Sequence, residues 1–181
     1  MKGWGMWFLV ALGLVAAVVL AGLPFLVFPA HDEPAKADVA LVLGPPTDTR
    51  MELAQSMVDE GLTEHVLVSL DPEESEMYPL AGEICASGDD TYVCAKPDPF
   101  TTRGEAIFLQ EEATKNGWTN AAVITFTPHI SRSRMIMKNC FDGEVSMLDS
   151  GESVSLPFWA YQYAYQSAAT VKALIQGRCD G

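Results

Sequence analysis

AAVITFTPHISRSR, residues 121–134, joins an apolar run to a segment carrying one histidine and two arginines. The run AAVITF reads as a short strand covered on both faces. Thr127 followed by Pro128 reads as an N-cap with proline at the first helical position, opening a helix over PHISRSRMIMKNCF, 128–141. A buried strand running directly into a helix is the unit from which parallel α/β sheets are built.

The same alternation extends outward from this stretch. DVALVLG (38–44) is a continuous apolar run ending in glycine, and HVLVSL (65–70) is a second strand. Between them TRMELAQSMVDEG (49–61) has helical spacing at Met51, Leu53, Ala54, Met57 and Val58, with Gly61 as a stop. A short helix YPLAGEICA and a strand TYVC precede a longer helix, TTRGEAIFLQEEATKNG (101–117). After residue 141 come EVSML and a last helix, PFWAYQYAYQSAATVKALIQG. The expected fold is a Rossmann-like, three-layer α/β domain with a mostly parallel sheet of about five strands.

Ahead of this domain, no charged residue occurs from Trp4 to Phe28. About 25 helical residues cover about 37 Å, and stopping at Leu23, before Pro24, still leaves about 30 Å, enough to cross a bilayer. The apolar core exceeds that of a cleavable signal peptide, and the Ala-x-Ala of Ala35 to Ala37 lies well past it, so an uncleaved anchor is expected. Residues 1–30 are assigned to the anchor, 31–37 to a linker and 38–181 to the α/β domain. Lys2 before the span gives a small bias toward a cytoplasmic N-terminus, and Trp4 and Trp7 would sit at one interface.

The four cysteines, Cys85, Cys94, Cys140 and Cys179, all follow the span and form no C-x-x-C pair. An even number without metal spacing fits disulfides in an oxidising compartment. In a sheet of crossover helices, helix ends gather at the amino edge of the strands, which puts Cys140 near Cys179. Cys85 and Cys94 are close along the chain, so the expected pairing is 85–94 with 140–179. Both arguments place the domain outside the membrane.

The chain is acidic, with 24 Asp and Glu against 11 Lys and Arg and a formal charge of −13. Nucleic acid is therefore an improbable partner. Against that background, four of the five arginines, Arg50, Arg103, Arg132 and Arg134, fall near expected helix starts. Thr49-x-x-Glu52 and Thr102-x-x-Glu105 read as capping boxes, and Arg132 shares a face with His129 three residues before it. Cations at helix N-termini oppose the dipole by about 0.3–1 kcal/mol each. A bound anion that also takes hydrogen bonds from free N–H groups would explain them, and arginine suits phosphate or carboxylate. The competing expectation is that these arginines pair with surface acids.

These residues resemble the YdcF, SanA and ElyC group over roughly residues 38–150. The order is Val-Leu-Gly at 42–44, Arg50 on the next helix, Val-Ser at 68–69, a Thr-led helix at 101–106, and Thr125-x-Thr127-x-His129-x-x-Arg132. The resemblance implies a Rossmann-like fold behind a membrane anchor and a role in cell-envelope or peptidoglycan metabolism. It suggests the lipid carrier of envelope precursors for ElyC-like members and nucleotide-type ligands for YdcF-like ones. Gly44-Pro45-Pro46 and Asp71-Pro72 stand where the group has glycines, and Thr101-Thr102-Arg103-Gly104-Glu105 stands for its Asn-Thr-x-Glu-Asn. Fewer glycines limit backbone approach to a phosphate. The absence of G-x-G-x-x-G argues against a dinucleotide, and an extracytoplasmic site argues against S-adenosylmethionine.

Three readings follow. One is an enzyme on a phosphorylated or lipid-linked envelope precursor, with His129 as acid/base, Arg50, Arg103 and Arg132 as charge clamp, and Gly44, Thr102, Thr125 and Thr127 lining the ligand site. The second is a non-catalytic binding or scaffold module for such a precursor. The third is a metal-dependent hydrolase using Asp48, Asp71 and Glu73. Phe158, Trp159, Tyr161, Tyr163 and Tyr165 form an aromatic run at helical spacing. One pair, Trp159 with Tyr163 or Tyr161 with Tyr165, is expected to pack on the sheet and the other to be partly exposed.

Overall fold

In the computed structural model, which describes residues 3–179 with the side chain of Trp4 excepted, the expected strands all form. They are Val39–Val42 (β1), Val66–Ser69 (β2), Tyr92–Ala95 (β3), Asn120–Thr125 (β4) and Glu144–Asp149 (β5). All pair in parallel, in the order β3-β2-β1-β4-β5. Every residue of β1 and β2 is buried, which explains why these strands read as unbroken apolar runs.

Two apolar layers flank the sheet. Asp48–Asp59 (α2) and Pro79–Ala86 (α3) cover one face, where Met51, Ala54, Met57 and Ala81 meet Ala40, Val42, Val66, Val68 and Ile124. Thr102–Asn116 (α4) and Ile130–Cys140 (α5) cover the other, where Ala106, Leu109, Ile130 and Met137 meet Leu41, Leu43, Leu67 and Val123. Alternate strand residues thus serve opposite layers, as the period of two requires. The order of the strands reverses between β1 and β4, and the crevice beyond their carboxyl ends is where such sheets place ligands.

The N-terminal helix Gly3–Gly22 (α1) continues past Pro24 in a π-helical turn, Leu23–Val27, instead of stopping at Leu23. The wider turn tolerates a proline that has no N–H to give. Gly5–Val27 is long and apolar enough to cross a membrane and is almost wholly uncovered by the rest of the chain. Lys2 and the side chain of Trp4, which bear on orientation and interface, lie outside the described residues.

The segment expected as a linker is not a free tether. Asp32 N–H donates to the Met147 carbonyl at 2.8 Å, and Met147 N–H returns a bond to Asp32 Oδ2 at 2.8 Å. The strap thereby covers part of the edge strand β5, an edge that would otherwise be open for pairing. Arg134 ties the same strap down through the Ala30 carbonyl and Asp32. Arg134 thus meets the competing expectation of a surface acid partner.

The last helix, Leu156–Gln176 (α6), departs from the expectation for its aromatics. Neither pair packs on the sheet, because α4 and α5 already cover that face and α6 packs outside α5. Tyr161 and Tyr165 stack on each other, exposed, with ring centroids 5.8 Å apart. The buried residues of α6 are Gln162, Gln166 and Ala173.

Both disulfides form as expected. Cys85–Cys94 and Cys140–Cys179 have Cα separations of 5.8 and 4.8 Å, inside the range a disulfide requires.

Candidate functional site

Beyond the carboxyl ends of β1 and β4, the chain places His129 at the end of a 3-10 turn, Thr127–His129, that feeds α5. Thr127 does not cap α5, contrary to expectation. Its hydroxyl donates to Asp149 Oδ2 at 2.7 Å, at the end of β5, and Pro128 is absorbed in the 3-10 turn. The imidazole of His129 is buried. Its Nδ1 lies 3.0 Å from Thr125 Oγ1, and its Nε2 lies 3.3 Å from Thr102 Oγ1 and 2.5 Å from Arg132 Nη2.

These contacts set the tautomer. A guanidinium can only donate, so Nε2 must accept from Arg132 and Nδ1 must carry the proton, which it gives to Thr125 Oγ1. Burial pushes the His129 pKa well below the usual imidazole value, and the charges of Arg132 and Arg50 push the same way. The histidine is neutral and orients Arg132.

Arg132 spreads its bonds over neutral partners. Nε donates to Gln166 Oε1 at 2.7 Å and Nη1 to Thr102 Oγ1 at 3.4 Å, while the guanidinium lies 6.0 Å from the Tyr165 ring centroid. Gln166 in turn donates to Gln162 Oε1 at 2.9 Å. A buried polar chain therefore runs from α6 through Arg132 to His129 and the end of β4. The glutamines carry no motif. Their burial depends on where α6 docks, which the periodicity of an apolar helix does not reveal.

Arg50 reaches the same crevice but is consumed internally. Nε donates to Glu152 Oε1 at 2.6 Å, and Nη1 donates to the carbonyls of Leu43 and Pro45 at 3.1 and 2.9 Å. Glu152 also accepts from Thr47 Oγ1 and Ser150 Oγ. The expected Thr49–Glu52 box gives way to Thr47 as N-cap of α2, and Thr47 spends its hydroxyl on Glu152 instead of on the helix.

The second expected box also moves by one residue. Thr101 caps α4 by accepting from Gly104 N–H at 3.3 Å, which frees Thr102 to face His129 and Arg132. Gly104 itself is required, since a Cβ there would lie 1.9 Å from the Pro99 carbonyl oxygen. Glu105, released from capping, turns inward and accepts from Gly44 N–H at 2.7 Å. Burial pushes the Glu105 pKa up, against the pull of that bond, of Ser69 and of the charges of Arg50 and Arg132. Ser69 Oγ is buried beside it yet makes no full hydrogen bond. Gly44 thus contributes a backbone donor, already used by Glu105.

Arg103 does not join the others. Its Nη1 and Nη2 donate to the carbonyls of Gly177 and Arg178, just past the end of α6. Helix C-termini carry partial negative charge, and this one draws the guanidinium away from the crevice. Of the four expected convergent residues, Arg50, His129 and Arg132 come together and Arg103 does not.

Asp71 accepts from Glu73 N–H and pairs with Lys96 at 2.5 Å, closing a 3-10 turn. Asp48 sits in the first turn of α2. Among the described residues no group of three or more His, Cys, Asp or Glu side chains is arranged to hold a metal ion. Two shallow depressions, of about 360 and 490 Å³, lie at the opposite edge of the sheet around Trp118 and away from the arginines.

The two shifted pKa values predict opposite pH trends. Unfolded histidine titrates near about pH 6.5. Between the depressed folded value and that one the unfolded chain binds more protons, so the contribution of His129 is complete above about pH 6.5 and is lost as pH falls. Glu105 has a raised folded value, so its contribution is complete below the ordinary glutamate pKa and is lost as pH rises through the raised one. In melts over about pH 4.5 to 8, the margin of the wild type over His129→Gln should widen up to about pH 6.5 and then level off. The margin over Glu105→Gln should narrow as pH rises. A pH-independent margin for His129→Gln would mean the imidazole is not held neutral.

No protein-family model, curated protein or solved structure matches the chain.

Proposed function

We propose that this is a membrane-anchored protein of the YdcF/SanA/ElyC type, with its domain on the outer side of the membrane, that binds a phosphorylated or otherwise anionic envelope precursor at Arg132. The observation that carries the reading is the state of that side chain. Arg50 and Arg134 pair with Glu152 and Asp32, whereas among the described residues Arg132 has no carboxylate within ion-pair distance. It keeps partial access to solvent at the start of α5, close to the first residues of α4. A half-buried guanidinium without an ion-pair partner, between two helix starts, suits an anion with several acceptor oxygens. Two disulfides favour the outer, oxidising side.

Binding is tested on the full-length protein in detergent, with orthophosphate, pyrophosphate and a prenyl monophosphate as probes. Arg132→Ala should raise the Kd for the phosphate it recognises by about 10- to 100-fold, the loss of one charge-assisted bond pair. Arg132→Lys should fall between, because the ammonium keeps the charge and loses the fork. No binding of any probe by the wild type, or equal binding by Arg132→Ala, overturns the reading.

A catalytic reading draws on the same histidine. An anion that pulls Arg132 toward itself would uncover Nε2 of a neutral imidazole, a lone pair fit for general-base work. Turnover of a bound prenyl phosphate or pyrophosphate that disappears in His129→Gln while binding persists would favour this over a holding module.

A further inference from the structure

Resting on the reading that α1 crosses a bilayer, we propose that the first three turns of α6, Leu156–Tyr165, are a second membrane element, lying at the outer headgroup–acyl boundary beside the span. The helix is inside out for a water-exposed position. Gln162 and Gln166 are buried against the domain, while Leu156 is 84% exposed, Tyr161 58% and Tyr165 47%, with Phe158 also exposed. In water this arrangement hides amides and wets aromatics, the reverse of ordinary surface helices. In the interfacial zone it is the expected arrangement, since tyrosine and phenylalanine bodies sit among headgroups and upper acyl chains.

Charge points the same way. None of the 24 acidic residues lies between Ser153 and Gln176, one of two long acid-free stretches beyond the span, the other being residues 113–141, which contain the buried strand β4 and helix α5. The one charged residue of α6 is Lys172. A surface cleared of acids is what approach to a negatively charged membrane requires.

The depth is set by direct contact with α1. Tyr163 Oη donates to the Val19 carbonyl at 2.5 Å, and its ring fills the space above Gly22, where a Cβ would lie 2.6 Å from the ring. Val19 is eight residues before Val27, the end of the apolar stretch, and thus about 12 Å along the helix from that end. The middle of α6 therefore reaches alongside the outer part of the span instead of standing above it. Phe25 and Phe28, exposed at the exit of the span, extend the same apolar surface. The π-turn fixes the relation to the domain, because Ser131 Oγ donates to the Phe25 carbonyl at 2.7 Å and Leu26 is buried. Tyr165 belongs both to this surface and to the wall beside Arg132, so the anion site would open at headgroup level.

The test is spin-label accessibility in full-length protein reconstituted into vesicles of phosphatidylcholine and phosphatidylglycerol. Single cysteines at Leu156→Cys and Tyr161→Cys are labelled separately, with Leu12→Cys in α1 as lipid reference and Glu111→Cys, exposed on α4, as aqueous reference. The native cysteines are all in disulfides, so only the introduced thiol reacts. Labels at 156 and 161 should collide more with oxygen than with a water-soluble nickel chelate, giving depths between those of 12 and 111. Chelate access equal to that at 111 overturns the proposal, and so does shielding from both reagents, which means a protein partner or second copy covers the helix. If the label at 12 is also chelate-accessible, the span reading fails and takes the proposal with it.

Discussion

Arg50→Ala should cost about 3–5 kcal/mol, the loss expected when one partner of a buried ion pair is removed. The side chain is 2% exposed and its bonds run to Glu152 and the carbonyls of Leu43 and Pro45, with the guanidinium stacked 5.1 Å from the Phe126 ring centroid. Removing it leaves Glu152 with hydroxyl donors but no cation, and takes a donor from the carbonyls of Leu43 and Pro45 just past the end of β1. For a domain of this size the melting temperature should fall by about 6–20 °C. Arg50→Met combined with Glu152→Gln should recover part of the loss, because it removes the orphaned charge as well as its partner. A variant that melts like the wild type but loses phosphate affinity would return Arg50 to the ligand clamp expected from its sequence position.

Replacing Cys140 and Cys179 together by serine should cost about 4 kcal/mol, from closure of a loop of 39 residues. The local bridge, Cys85–Cys94, spans nine residues and should be worth about 2.5 kcal/mol on the same argument. The longer bridge also has a positional role. With Cys179 N–H bonded to the Asn139 carbonyl, it pins the end of α6 to the end of α5, the two helices that share the Arg132–Gln166 bond. Thermal melts with and without the double substitution give the stability difference. Peptide mapping under non-reducing conditions should recover pairs 85–94 and 140–179, and four free thiols would defeat both the bridges and the outer location.

Much of the fold was legible because its strands are buried on both faces. DVALVLG, HVLVSL and AAVITF carry no competing period, and the helices between them are long enough only for parallel crossovers. Helix starts were legible to within a residue or two, and the caps were misassigned for a common reason. Thr47, Thr127 and Glu105 each had a better partner across the fold than along the helix, in Glu152, Asp149 and Gly44. Hydrogen-bond partners 22 to 105 residues away leave no local spacing to read.

The sequence by itself determined the elements, their parallel order of alternation, the apolar span and the cysteine pairing, because each depends on local periodicity or on which ends of helices share an edge. The grouping of His129 with Arg132 was also readable, being three residues apart on one turn. Tertiary structure decided the rest. It sent Arg103 to the carbonyl end of α6, satisfied Arg50 internally, and left Arg132 among neutral partners. It also turned the glutamines of α6 inward and its tyrosines outward. A side chain's charge is written in the sequence, but whether that charge is already compensated depends on what the folded chain brings within about 4 Å of it.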